Sequence, residues 1–268
     1  MREHQIYGTA VTAASAANSD QAVPKADRYR TDGGPLLSVE NLDASYGKTH
    51  VLRNVSLSVP KYDSVALMGR NGTGKTTILL CIMGLGPIIE KGTISFSGKS
   101  LLGRPPEQIF NLGISWVPAE RRIFPNLTVD ENLRMGFRKN VDTDRYQELR
   151  ETLNLLNDRE DQRAGTLSGG QKQLLTIARG LVSDPDLVLI DEAFEGLMPS
   201  IIPEVQTLLR RAQGWGAAVL LAGQSTSAIL DVVDRVYIIE NGAIEAEVDA
   251  GALSENEALR QQYFGVGP

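Results

Sequence analysis

The 268-residue chain reads as an α/β fold: a parallel-sheet core, an antiparallel β portion and a helical insertion. Three observations predict it. Residues 65–68, 187–190 and 217–222 are short continuous apolar runs, as strands buried on both faces are. Residues 36–42 and 51–59 instead alternate apolar with polar, the mark of half-buried antiparallel strands. Along the chain, a β-rich start gives way to a βα unit, then a helical stretch, then αβ again.

Each element follows from its own pattern. Tyr46-Gly47-Lys48 supplies a turn between the first two strands. The apolar run 65–68 enters a glycine-rich loop, and 77–83 leaves it as an apolar helix. Residues 93–96 alternate as a strand closed by Ser97-Gly98. Over 144–157, Tyr146, Leu149, Leu153 and Leu156 fall at i, i+3, i+7 and i+10, one face of a predicted helix. Residues 236–240 and 243–248 predict a closing hairpin, and Ser254 with Glu257 predicts a capping box for a last helix reaching Tyr263. No internal repeat is visible.

Composition excludes several classes. Hydrophobic residues are 42% and charged residues 22%, ordinary globular usage that rules out disorder of the whole chain. Twenty-seven basic against thirty-three acidic residues leave a net charge of −6, which counts against a nucleic-acid partner. Cys81 is the single cysteine, so no internal disulfide forms and a reducing compartment is expected. No apolar run approaches the roughly 18 residues of a membrane span. Residues 1–34 carry no periodicity, only small polar residues, scattered charges, Pro24 and Gly33-Gly34, and are expected to form a mobile tail. No apolar stretch of about 7–15 residues follows Arg2, so a signal peptide is not expected.

Gly69-Arg70-Asn71-Gly72-Thr73-Gly74-Lys75-Thr76 fits the phosphate-loop pattern G-x-x-x-x-G-K-[ST], and its context is right: a buried strand enters and an apolar helix leaves. Glycines let backbone N–H groups turn inward onto phosphate oxygens. Lys75 brings charge to the β- and γ-phosphates, and the Thr76 hydroxyl is a ligand for Mg²⁺. The helix that begins there directs its positive end at the same anions. A chance glycine-rich turn would lack both neighbours. Four apolar residues followed by Asp191-Glu192 put two carboxylates at the C-terminal end of a buried strand, where parallel sheets bind ligands. Asp191 suits Mg²⁺ and Glu192 suits polarising the attacking water.

Leu167-Ser168-Gly169-Gly170-Gln171 is locally a capping box from Ser168 to Gln171. It opens a helix with Leu174, Ile177, Ala178 and Leu181 on one face. The box explains a helix start but not two glycines after the cap, since glycine is a poor helix former. A bare helix end beside a hydroxyl is a second anion-binding device. Two such devices about a hundred residues apart in one chain can sandwich a triphosphate between two subunits.

Together, the phosphate loop, LSGGQ and LVLIDE resemble the ATP-binding cassette family over roughly residues 36–264. The resemblance implies an α/β P-loop NTPase (RecA-like) core, an antiparallel β subdomain, and a helical subdomain at about 119–185 carrying LSGGQ, with the cassette spanning 35–254 and a C-terminal helix in 255–268. It implies ATP held between Gly69 to Thr77 of one subunit and Ser168, Gly169, Gly170 and Gln171 of another. It also implies adenine stacking on Tyr46, 23 residues ahead of Gly69. Residues 117–133, Glu195-Gly196-Leu197-Met198-Pro199 and 256–265 are similar to the ATPases of branched-chain amino-acid and urea-type importers. That resemblance implies a peripheral protein on the cytoplasmic face of the inner membrane. It would work with two integral-membrane permease subunits docking at 113–132, a sister ATPase or second copy of itself, and a periplasmic solute-binding protein.

Several positions depart from the family. Ala119 stands where a Gln or Glu is usual, and a methyl group neither ligates metal nor orients water. One residue later comes Glu120, which either faces Mg²⁺ through a bulged loop or pairs with Arg121 or Arg122 on the surface. Both histidines, His4 and His50, precede the loop, so Gln224 follows the strand 217–222 in place of a histidine, with only hydrogen bonds to offer. Ala193-Phe194 replaces the usual Pro-Ser. Two other readings stay open: a non-transport cassette, disfavoured by the lack of a second cassette or long coiled coil, and a weakly hydrolysing regulatory subunit, which Ala119 and Phe194 favour and Glu192 opposes.

Overall fold

The computed structural model describes residues 34–138, 143–153, 156–224 and 227–265. The tail expected over 1–33 lies outside them. Strands β1 (Leu37–Tyr46) and β2 (Thr49–Val59) pair antiparallel, as their alternation requires. After β3 (Ser64–Met68), helix α1 (Lys75–Ile82) leads to β4 (Ile88–Phe96) and β5 (Lys99–Ser100). Both residues between β4 and β5, Ser97 and Gly98, have positive φ, the geometry of a tight two-residue hairpin. Next come α2 (Pro106–Asn111), β6 (Ile114–Val117), α3 (Val129–Arg134), α4 (Thr143–Thr152) and α5 (Gly169–Leu181). The chain then alternates through β7 (Leu187–Asp191), α6 (Ile202–Gly214), β8 (Ala218–Gly223) and α7 (Ser227–Leu230). It closes with β9 (Arg235–Glu240), β10 (Ala243–Asp249), α8 (Ala250–Glu255) and α9 (Glu257–Phe264).

Among the described residues there are two sheets: β2-β1-β4-β5, all antiparallel, and the six-stranded β10-β9-β3-β8-β7-β6. In the larger sheet every pairing is parallel except the final hairpin of β9 with β10. Strands β3, β7 and β8 are buried at every position. Their side chains divide by parity. Val65, Leu67, Leu187, Leu189, Ala218 and Leu220 pack with Ile78 and Leu79 of α1 and with the antiparallel sheet. Ala66, Met68, Val188, Ile190, Val219 and Leu221 pack on the other face with Leu174, Leu175 and Ile177 of α5 and Val205, Leu208 and Leu209 of α6. Side chains that alternate across a strand meet two cores here, so the runs are apolar throughout.

Two local expectations need correction. The helix predicted over 144–157 ends at Thr152. There the Leu153 N–H bonds Arg150 O, three residues back, tightening the last turn. Leu153 and Leu156 still enter the same buried cluster as Tyr146 and Leu149, but from the turn that follows. The end of the chain is two helices rather than one capped by Ser254. Asn256 is extended, with φ −111° and ψ 101°, and its Oδ1 accepts from Leu259 N at 3.2 Å. Ser254 lies inside α8.

Helix α9 has no fully buried side chain; Leu259, Tyr263 and Phe264 pack part-buried against the core, and Asn256 caps its first turn. Asn256→Ala should cost it about 1 kcal/mol and speed amide exchange over Glu257–Phe264 about fivefold by mass spectrometry. Ser254→Ala should leave that exchange unchanged; the reverse pattern would return the cap to Ser254.

Candidate nucleotide site

The phosphate loop leaves the buried end of β3 and runs into α1. Gly74 caps α1 at φ +110°, a conformation that side chains resist, and a Cβ there would lie 2.8 Å from the Leu52 side chain on β2. With no side-chain cap, the first backbone N–H groups of α1 stay open toward the loop. The tip of the β9–β10 hairpin braces the loop, where Gly242 N donates to Thr73 O at 3.1 Å. Lys75 is 4% exposed, and its Nζ donates to Gly69 O and Arg70 O, both at 2.9 Å. Burial lowers its pKa from the ordinary lysine value, while Glu192, Asp191 and Glu195 oppose the shift.

Parallel pairing of β3 with β8, and of β8 with β7, brings Asp191 and Glu192 to the same end of the sheet. Asp191 is 1% exposed, and its Oδ1 has no hydrogen-bond partner among the described residues. Burial raises its carboxyl pKa, and a hydrogen bond with Thr76 and the charge of Lys75 pull it back. Glu192 follows with φ +52°, left-handed for a residue with a side chain, and its N–H bonds Ala222 O at 2.8 Å. Such strain persists where surrounding structure enforces it. A hydrogen bond with Glu195, then burial and the charges of Glu195 and Asp191, push the Glu192 carboxyl up to about 7 against the pull of Lys75. Glu192, Glu195 and Gln224 share a cavity of about 280 Å³, and Gln224 Nε2 donates to Asn71 Oδ1 of the phosphate loop at 3.2 Å. Ala193 and Phe194 line the same cavity and are buried in the core behind it.

The LSGGQ segment lies at the start of α5 as a complete capping box. Gln171 N donates to Ser168 Oγ at 3.3 Å, and Ser168 N to Gln171 Oε1 at 3.0 Å. The two glycines now have a reason. A Cβ on Gly169 would lie 2.8 Å from Arg121 Nη1, and one on Gly170 would lie 2.7 Å from the Ile201 side chain. Within the chain these glycines face Arg121 and Ile201 rather than the phosphate loop. Tyr46 ends β1 across the turn from Thr49 and is 48% exposed.

Of the two alternatives for Glu120, the structure takes the surface pair. Its carboxylate accepts from Arg122 Nε at 2.5 Å and also pairs with Arg122 Nη2; both side chains are about two-thirds exposed. Sequence reasoning missed a direct role for Arg121, Gln173 and Glu195. The one available signal was the three-residue spacing from Glu192 to Glu195, which a tight turn brings together, with Glu195 N donating to Glu192 O at 3.3 Å.

The ABC transporter family matches residues 52–195. The chain is 39% identical over 236 residues to the high-affinity branched-chain amino acid transport ATP-binding protein BraG of Pseudomonas aeruginosa, covering 86% of this chain and 100% of BraG. It is 32% identical to the lipopolysaccharide export system ATP-binding protein LptB of Haemophilus influenzae, over 86% of this chain and 97% of LptB. Among solved structures, the ADP conformation of an ATP-binding cassette of an ABC transporter is similar with a TM-score of 0.73 and 25% identity, covering 87% of this chain and all of that one. With a phosphate-loop sequence and a carboxylate pair brought to one end of its sheet, the chain belongs to the ABC transporter family and is an ATP-hydrolysing enzyme.

Proposed function

We propose that this ATPase powers an importer of branched-chain amino acids or a related polar solute such as urea or an amide. The observation that carries the solute class is the 39% identity to BraG across the whole of that protein. The chain would act as a pair, with a sister ATPase or a second copy, on the cytoplasmic face of the inner membrane. Its permease subunits would dock at 113–132, and a periplasmic solute-binding protein would deliver the solute. Among the described residues no helix is long and apolar enough to cross a membrane, which suits a peripheral subunit. The similarity to LptB supports a second reading, an export engine. Uptake of labelled leucine, urea and amides in cells lacking this chain separates the two. Lost uptake with an intact envelope is expected, and a leaky envelope with normal uptake would favour export.

In the proposed site Gly69 to Thr77 enclose the phosphates, and Lys75 exchanges its carbonyl partners for β- and γ-phosphate oxygens. Ser168, Gly169 and Gly170, with Gln171 holding the helix start, meet the triphosphate of the opposing subunit, and Tyr46 stacks on adenine. Thr76 and Asp191 would hold Mg²⁺, and the unpartnered buried Oδ1 of Asp191 fits a cation. Bound there, Mg²⁺ supplies charge neutralisation on the phosphate oxygens. Glu192 takes the proton of the water that attacks the γ-phosphorus as the bond to the β–γ bridging oxygen breaks and ADP leaves, while Gln224 and Asn71 link the cavity to the phosphate loop.

Lys75→Ala removes a charge-assisted contact of about 1.5–3 kcal/mol, so ATP affinity should fall ten- to a hundredfold by calorimetric titration. Glu192→Gln should bind ATP as the parent does yet turn over roughly 10²–10⁴-fold more slowly, accumulating an ATP-bound pair on size exclusion. Near-normal turnover would move the base elsewhere. Glu120→Ala should stay within about twofold of parental turnover, because an exposed ion pair contributes at most about 1 kcal/mol. A tenfold loss would restore the carboxylate to the site.

A further inference from the structure

Arg121 joins three segments that are distant in sequence. It lies in the loop that follows β6, half-buried. Its Nε donates to Gln173 Oε1 on α5 at 3.2 Å, and its Nη2 donates to Glu195 O, in the loop after Glu192, at 2.8 Å. Its Nη1 occupies the space that a side chain at Gly169 would fill, and a Cβ at Gly196 would come within 3.6 Å of Nη2. Both acceptors are neutral: an amide oxygen and a backbone carbonyl. Gln173 is 1% exposed, and its Nε2 has no acceptor among the described residues, so the bond from Arg121 is what orients that amide. A planar guanidinium holds such acceptors at set angles, which an ammonium on a flexible stem does not.

We propose that Arg121 is a positioning residue for ATP hydrolysis, setting the start of α5 against the loop that bears Glu192 and Glu195. The inference rests on the reading that Ser168 to Gly170 receive the opposing subunit's triphosphate. If the two segments are not held in register, a pair of chains that binds ATP normally closes with Glu192 misplaced relative to the water. Small displacements of this kind reduce the rate of the chemical step rather than the affinity. Gly169 then serves this contact as well as phosphate approach, because it leaves room for Nη1.

The test uses the full chain, with ATP turnover measured against ATP concentration. Arg121→Ala should lower kcat about tenfold while KM for ATP and the thermal midpoint stay near parental values, since the phosphate loop is untouched. Arg121→Lys, which keeps the charge and most of the bulk, should also lose turnover because one nitrogen does not span both acceptors. Gln173→Met removes the amide acceptor at similar volume; it should lower kcat, and combining it with Arg121→Ala should add little further loss. If Arg121→Ala fails to fold, the Lys and Met variants carry the test. Parental kcat in Arg121→Ala, full rescue by Lys, or additive losses would each overturn the proposal. Retained turnover in Glu192→Gln would instead overturn the reading of the site on which the proposal rests.

Discussion

Asp191 and Glu192 stand beside Lys75 because three parallel strands, β3, β8 and β7, are hydrogen-bonded side by side and buried on both faces. Burial on both faces excludes water from the strand interiors, so the backbone groups must pair with one another and the register is held. Each strand then delivers its next residues to the same end of the sheet. The phosphate loop follows Met68, the two carboxylates end β7 and begin the loop after it, and Gln224 follows Gly223.

The same packing creates the electrostatic tension of the site. A buried carboxylate oxygen without a donor is costly, and Asp191 Oδ1 is such an atom. A buried lysine whose pKa is depressed stands opposite. The neighbouring Glu195 carboxyl raises the pKa of Glu192, which also holds a strained backbone angle. These costs are carried by the two cores that clamp the sheet; a cation would relieve the carboxylates and a polyanion the lysine.

The helical insertion is joined to this edge by close contacts rather than by a broad apolar surface alone. Gly170 admits Ile201, and Gly169 admits Arg121, whose fork ties α5 to the loop after Glu192. The departures at 119 and 194 read differently in that setting. Phe194 is buried in the core that supports the cavity, and Glu120 turns outward to Arg122 while Arg121 turns inward. The tight turn there, where Arg122 N donates to Glu120 O and Ile123 N to Arg121 O, sends the two neighbouring side chains in different directions.

Sequence alone determined the phosphate-loop pattern, the carboxylate pair and the capping box at Ser168, because each rests on spacing within a dozen residues. It also determined which strands are buried on both faces, since an unbroken apolar run has no other stable place in a sheet. Tertiary structure decided the rest. The helix over 144–157 had enough apolar periodicity to continue past Thr152, yet the core accepted Leu153 and Leu156 equally well from a turn. Spacing pointed to Ser254 as the cap of the last helix, and the extended backbone at Asn256, with its Oδ1 accepting from Leu259 N, placed the cap two residues later. The pairing of Glu192 with Glu195, the outward turn of Glu120 and the three-way contact of Arg121 depend on side chains meeting across the fold. Such contacts leave no periodic trace in a sequence, because the residues that make them are brought together by the sheet and not by the local chain.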